Sequence, residues 1–227
     1  MNDTPLIEED LKYGKEDTML QEIRIGAKKT SDGSVEPVRG DITGATVVTQ
    51  GHAAYQEAVL KGSVYGIANQ TGVTSQAGLS ATTPVLTLYN PLGSGKNCVI
   101  WYAGATFTVV FAAVAAIYLA VGTDVQSAAV TGTLTTTHRN MKLGMTQSPT
   151  ARTLLAATLP AAPVAVSILG AGLTGAVNLL PNTQPIGRWF NGSIILKPGT
   201  NMSIQTSSAS GASGTFCEYI WEEVDES

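Results

Sequence analysis

Two glycine-rich stretches, two histidines, two cysteines and a scatter of acids are the residues of this chain that could carry chemistry. GSGKN, Gly93 to Asn97, has the outline of a phosphate-binding loop, but that loop requires Gly where Asn90 stands and Ser or Thr where Asn97 stands. A hairpin turn is the plainer reading. GAGLTG, Gly170 to Gly175, matches G-x-G-x-x-G and follows the strand-like PVAVSIL. The dinucleotide fold also wants an acid about 20 residues on, and no Asp or Glu occurs from residue 125 through 217. Glycoside hydrolysis needs two carboxylates across the scissile bond, and between Gly62 and Cys217 the one acid is Asp124. His52 and His138 have no spacing to a nucleophile and an orienting acid, and two histidines are too few for a metal site. His138, in TTTHRNMK, is expected at a strand end or on the surface. No catalytic residue, cofactor or metal is expected, and an enzyme is the least favoured class.

Cys98 and Cys217 could pair or could both be buried thiols, and a chain of 227 residues folds without staples. The aromatic residues Trp101-Tyr102, Trp189-Phe190 and Tyr219/Trp221 could line a sugar-binding face, since flat rings stack on pyranose rings. Filling a core or anchoring an interface is the favoured use.

The elements that must position these residues are divided by charge. Residues 1–61 carry 18 of the 30 charged side chains, the 156 residues from Gly62 to Cys217 carry seven, and Glu218, Glu222, Glu223, Asp225 and Glu226 close the chain. A free globular domain is about a quarter charged. So neutral a body implies a Thr/Ser/Asn/Gly coat on β-structure, contact with neighbouring subunits, or both, because charge is depleted at interface cores. A net charge of -4 with one adjacent basic pair, Lys28-Lys29, argues against nucleic acid. The uncharged run from Asn97 to Thr123 is long enough for a membrane span. Gly104, Thr106, Thr108 and the lack of flanking Lys or Arg favour strands, and no membrane partner is expected. MNDTPLIEED lacks the basic start and apolar run of a secretory signal, so the Asn-x-Ser/Thr triplets at Asn69, Asn191 and Asn201 are expected to be unmodified.

Along the chain, residues 1–45 read as an extended arm: the charged LIEEDLKYGKEDTMLQ, the alternating QEIRIGAKK with Ile23 and Ile25 on one face, and the turn-rich TSDGSVEPVRGD. Residues 46–82 read as a helical and loop connector, with HAAYQEAVLKG as the one short helix and Gly62 as its stop. From residue 83 to 227, short β-type runs recur every 8–15 residues or so, the spacing of a sandwich or barrel. They are PVLTLYN, CVIWYAG, TFTVVFAAV, AIYLAVG, GTLTTTH, RTLLAAT, PVAVSILG, GAVNLL, GSIILKPG, NMSIQTS and TFCEYIWEEV. The fold class expected is all-β, a β-sandwich with an extended N-terminal arm and one short helix. Asn90 to Gly95 and Asn191-Gly192 can supply the positive φ of hairpin turns, Pro198-Gly199 ends a strand, and SSASGASG forms a loop tip. FCEYIWEEV alternates Phe216, Glu218, Ile220 and Glu222 against Cys217, Tyr219, Trp221 and Glu223. Neither face is purely apolar, which suits a strand shared with a neighbour.

HAAYQEAVLKGSVYGIANQTG, LTLYNPLGSGKN, AATLPAAPV, GSIILKPGT and YIWEEV together, from about residue 40 to the C-terminus, resemble virion structural proteins of tailed bacteriophages. The resemblance implies a jelly-roll-like sandwich that assembles as a homotrimer and decorates or cements a capsid, or belongs to a fibre or tail. It also implies a virion location after synthesis in the host cytoplasm. The partners expected are further copies of the chain and the major capsid protein. The low-charge body would make the trimer contacts. Ile23, Arg24 and Ile25 would add a strand to a partner's edge, and Glu8, Glu9 and Asp10 would meet a basic patch. Trp189 and Phe190 are expected at a partner face. The alternative is an adhesin or carbohydrate-binding module with Trp189, Phe190 and SSASGASG at its binding face.

Overall fold

The computed structural model describes residues 55–109, 111, 113–122, 125, 128–172, 186–210 and 214–226, together with two short N-terminal strands. The chain divides into two units, Met1–Ala53 and Ala54–Ser227. In the first, β1 (Lys28–Lys29) and β2 (Val35–Glu36) form an antiparallel pair, with Lys28 opposite Glu36 and Lys29 opposite Val35. The end of the alternating QEIRIGAKK thus finds a partner inside the arm's own turn-rich stretch. Glu8, Glu9, Asp10, Ile23, Arg24 and Ile25 lie outside the described residues, as do His52 and Asp124.

The second unit begins with helix α1 (Gln56–Lys61), ended by Gly62 at φ 78, where the glycine N–H bonds back to the last turn. Glu57 in its first turn and Lys61 in its last complement the helix dipole. Eleven strands follow: β3 (Val64–Ala68), β4 (Leu86–Tyr89), β5 (Lys96–Phe107), β6 (Ala115–Val121), β7 (Thr131–Thr135), β8 (Arg139–Asn140), β9 (Arg152–Thr158), β10 (Val164–Gly172), β11 (Ile186–Leu196), β12 (Asn201–Thr206) and β13 (Thr215–Asp225). They form two antiparallel sheets, ordered β10-β6-β12-β4-β9-β7 and β11-β5-β13-β3-β8. The unit is the all-β, sandwich-like fold expected from the turn spacing.

In these two sheets no strand pairs with its neighbour in sequence among the described residues. Asn90 to Gly95 is therefore not a hairpin. It carries the chain from β4 in one sheet to β5 in the other, with Gly93 and Gly95 at positive φ. The buried amide of Asn90 fastens this corner by donating from Nδ2 to the carbonyls of Lys96 (2.7 Å) and Leu196 (2.9 Å). Asn191-Gly192 is not a hairpin either. Both residues have positive φ inside β11, where the pairing with β5 shifts register between Trp189 and Ile194. That is the signature of a β-bulge. Pro198-Gly199 ends β11 as expected and turns the chain into β12 of the opposite sheet.

Alternating residues fill the space between the sheets: Tyr65 and Ile67 from β3, Leu86 and Leu88 from β4, Ile100 and Ala103 from β5, Ile117 and Leu119 from β6, Met202 and Ile204 from β12, Tyr219 and Trp221 from β13. Each large side chain buried this way contributes about 1.5–3 kcal/mol. The Tyr219 hydroxyl donates to the Leu86 carbonyl at 2.8 Å, so its polar tip is satisfied inside the core. β13 lies between β5 and β3 of its own chain, with Cys217, Tyr219, Trp221 and Glu223 facing in. Its mixed faces therefore reflect a central position, and no neighbouring chain is needed to explain them.

Residues 46–82 are not simply a connector. Tyr65 and Ile67 alternate into the core, which makes β3 an integral strand, and residues 75–80 bond to the end of β12. There Gln205 donates to the Ser80 carbonyl at 3.1 Å and Thr206 to Ser75 Oγ at 2.9 Å. All six residues of β12, which lies between β6 and β4, are buried. Part of the hydroxyl and amide coat expected at the surface thus lies beneath the chain's own loop. The run 97–123 supplies β5 and β6, one strand to each sheet. CVIWYAG and the start of TFTVVFAAV are one continuous strand, because Gly104 pairs with Gly187 and does not interrupt the ladder. No helix among the described residues is long and apolar enough to cross a membrane. GAVNLL lies outside the described residues.

Candidate functional site

β11 is an end strand, and its bulge decides what it presents. Trp189 points outward and is 53% exposed, whereas Phe190 turns into the core and is 8% exposed. Of this pair, only Trp189 offers its ring to a partner. Arg188 sits with its guanidinium 5.7 Å from the Phe190 ring and donates to Ser167 Oγ of β10 at 3.2 Å, bridging the end strands of the two sheets.

Trp189 belongs to an aromatic group on the outer face of the five-stranded sheet. Tyr55 stacks parallel to it at 6.2 Å and also covers Trp101 at 4.3 Å, while Tyr102 approaches Trp189 at 5.1 Å with its ring tilted 54°. The Tyr55 hydroxyl donates to Asn191 Oδ1, so the bulge fixes the Tyr55 ring as well. Trp101 owes its outward position to a second irregularity, where the pairing of β5 with β13 shifts between Ile220 and Trp221.

Tyr102 lies over two glycines that pair across the strands, Gly104 and Gly187. A Cβ on Gly187 would overlap the Tyr102 hydroxyl, and one on Gly104 would come within 2.6 Å of it. The phenol reaches Glu218 of β13, which stands opposite Gly104. Burial, and then the adjoining Glu218 carboxylate, push the Tyr102 phenol above its ordinary pKa, so it remains a neutral donor. Beyond Glu218 a hollow of about 160 Å³ opens against Ala68, Asn69, Thr106 and Phe216. At its other end Met141 lies over Gly66 of β3 on the same sheet face. Asn140 donates to the Gly62 carbonyl at 2.6 Å, and Lys142 to that of Leu60 at 2.9 Å, drawing the segment after β8 onto α1.

The second feature is the side of the sandwich where β10 and β11 both end their sheets. Val164, Val166 and Ile168 of β10 are exposed, Ile168 at 68%. Val166 and Ile168, together with Tyr118 and Arg188, border a shallow groove of about 500 Å³. β10 is irregular at two points along its pairing with β6.

The closing acids are largely occupied within the fold. Glu223 accepts the backbone N–H groups of Thr150 and Ala151 at 2.9 and 2.8 Å, Glu222 accepts from Ser63 at 3.1 Å, and Asp225 pairs with Lys96. Cys98 and Cys217 are both buried and unpaired, and burial pushes both thiols well above their ordinary pKa. Asn69 and Asn201 of the three triplets are buried, and Asn191 is exposed. No group of three or more His, Cys, Asp or Glu side chains placed to hold a metal ion occurs among the described residues.

Tyr102 is among the aromatics that the sequence offers for a sugar-binding face, whereas Tyr55, Glu218 and the exposed residues of β10 are not marked there as site residues. The alternation V-x-V-x-I in β10 was the available signal for the last. The grouping of the others depends on two bulges. Comparison with protein-family models, with curated proteins and with solved structures finds no match. What the fold and the site define is a class, an all-β sandwich with one open apolar side and one open aromatic face.

Proposed function

We propose that this chain is a non-enzymatic structural protein of a tailed-phage particle. It would decorate or cement the capsid as a homotrimer and bind the major capsid protein through its N-terminal arm. The observation that carries the reading is the open side of the sandwich. Two end strands lie together there, bearing Val164, Val166 and Ile168 on a body with seven charged side chains. End strands present unpaired backbone groups, which charge or β-bulges blunt against strand pairing but which leave exposed apolar side chains free to pack. Of the residues bordering the groove, the cation is Arg188, already bonded to Ser167. The bulges of β10 and β11 bend the edge, so a second copy would pack on the exposed Val166 and Ile168 rather than extend a flat sheet.

The test is a mass-resolved oligomer measurement on purified protein, paired with imaging of particles. The native chain should run as a trimer, and a Val166→Lys/Ile168→Lys variant as a folded monomer. A native chain that stays single at high concentration overturns the assembly reading. Deleting residues 1–40 should leave trimers that no longer bind particles, and retained binding refutes the role of the arm.

A further inference from the structure

We infer that the outer face of the five-stranded sheet binds a neutral oligosaccharide along the line Trp189, Tyr102, Glu218. Three observations converge on that ligand class, and none depends on the assembly reading above.

The first is the exposed indole. Trp189 is held by Tyr55 on one side and Tyr102 at its edge, so its ring is fixed without being covered. A fixed aromatic ring open to water stacks on the C–H face of a pyranose at little conformational cost. The second is the carboxylate. Glu218 already accepts from the Tyr102 hydroxyl, and a carboxylate has further lone pairs that take hydroxyl donors. Charge-assisted bonds of this kind are about twice as strong as neutral ones. The third is the floor. The row Gly187, Gly104, Glu218, Ala68 runs across four neighbouring strands. The Tyr102 ring lies over the two glycines and its hydroxyl ends at Glu218, so indole, phenol and carboxylate follow one another along a flat path on which a sugar ring can lie.

Dimensions set the size of the ligand. Trp189 and Glu218 are two strands apart laterally and two residues apart along the sheet, a separation of about 12 Å from ordinary strand spacings. The hollow beyond Glu218 measures about 160 Å³. One ring on Trp189 and a further unit reaching the hollow describe a short linear glycan. The only charged side chain on the line is an acid, so sialylated and uronate-bearing glycans are repelled.

The experiment is a glycan array of neutral and acidic oligosaccharides on the full-length protein, with calorimetry on the best neutral binder. Neutral glycans should bind. Trp189→Ala and Glu218→Gln should each weaken binding roughly tenfold or more, the scale of one lost stacking contact or charge-assisted bond. Trp189 is exposed and Glu218→Gln keeps its shape, so both variants should keep the native circular dichroism. Tyr102→Phe, which removes only the hydroxyl bonded to Glu218, should weaken binding less. No bound glycan, binding confined to acidic glycans, or binding unchanged in Trp189→Ala and Glu218→Gln each overturns the inference. The oligomer mass and particle binding are read separately, so failure here leaves the assembly reading standing.

Discussion

Replacing Glu223 tests how far the folded state depends on one acid that sequence alone places in a solvated cluster. Glu223 is 8% exposed, and its carboxylate receives the N–H of Thr150 at 2.9 Å and of Ala151 at 2.8 Å, clamping the chain where it enters β9. Neither donor can be removed by side-chain mutation. Ala151 is buried, so in Glu223→Ala its N–H loses a charge-assisted bond worth about 1.5–3 kcal/mol with no water to replace it. Thr150 is exposed and recovers most of its bond from solvent. The sum is about 2–4 kcal/mol, a large part of the 5–15 kcal/mol typical of a whole protein. At roughly 2–4 °C per kcal/mol for a unit of this size, Tm should fall by about 5–15 °C. Glu223→Gln keeps one carbonyl oxygen for Ala151 and should cost about 1–2 kcal/mol. Urea titration followed by Trp fluorescence measures both, with an unchanged slope as the control that the unfolded state is unaltered. Equal losses below about 1 kcal/mol in the two variants would refute the clamp.

Two further outcomes follow from buried groups. His138 has its pKa lowered, chiefly by burial, with Arg139 adding to the effect and the Thr135 backbone and Glu223 opposing it. The unfolded imidazole, near 6.5, therefore takes up its proton before the folded one does. Stability from the neutral ring is full above pH 6.5 and is lost as pH falls below it. Thermal melts of native protein and His138→Asn between pH 7.5 and 5 should diverge on the acid side, and superimposable profiles would contradict this. Cys98 and Cys217 should resist a thiol reagent until the protein unfolds, with Tm unchanged by reductant. Rapid labelling of the native state would show that one of them is accessible.

The strands and turns of this protein are legible in its sequence because their causes are local. Alternation in TLYN, AIYLAV and CEYIWEEV, with Gly, Pro and Asn between runs, marks elements whose side chains must face opposite ways. The helix stop at Gly62 and the strand end at Pro198-Gly199 follow from backbone freedom at single residues. The neutrality of the body is likewise a property of composition. Pairing is a different matter. Loops that read as hairpins are corners between sheets, and Asn191-Gly192 is a bulge, because positive φ fits several tight geometries and only the partner strand selects one. The same holds for the candidate sites. Trp189 and Phe190 are adjacent in sequence yet face opposite ways, and Tyr102 meets Glu218 only because β5 and β13 pair in a register that sets Gly104 beside that acid. Glu223 shares a cluster of acids with Glu222 and Asp225, but its depth in the fold, set by contact with a segment some seventy residues earlier, makes it a backbone clamp. Contacts between residues far apart along the chain are fixed by how the sheets close on each other, which no window of sequence contains.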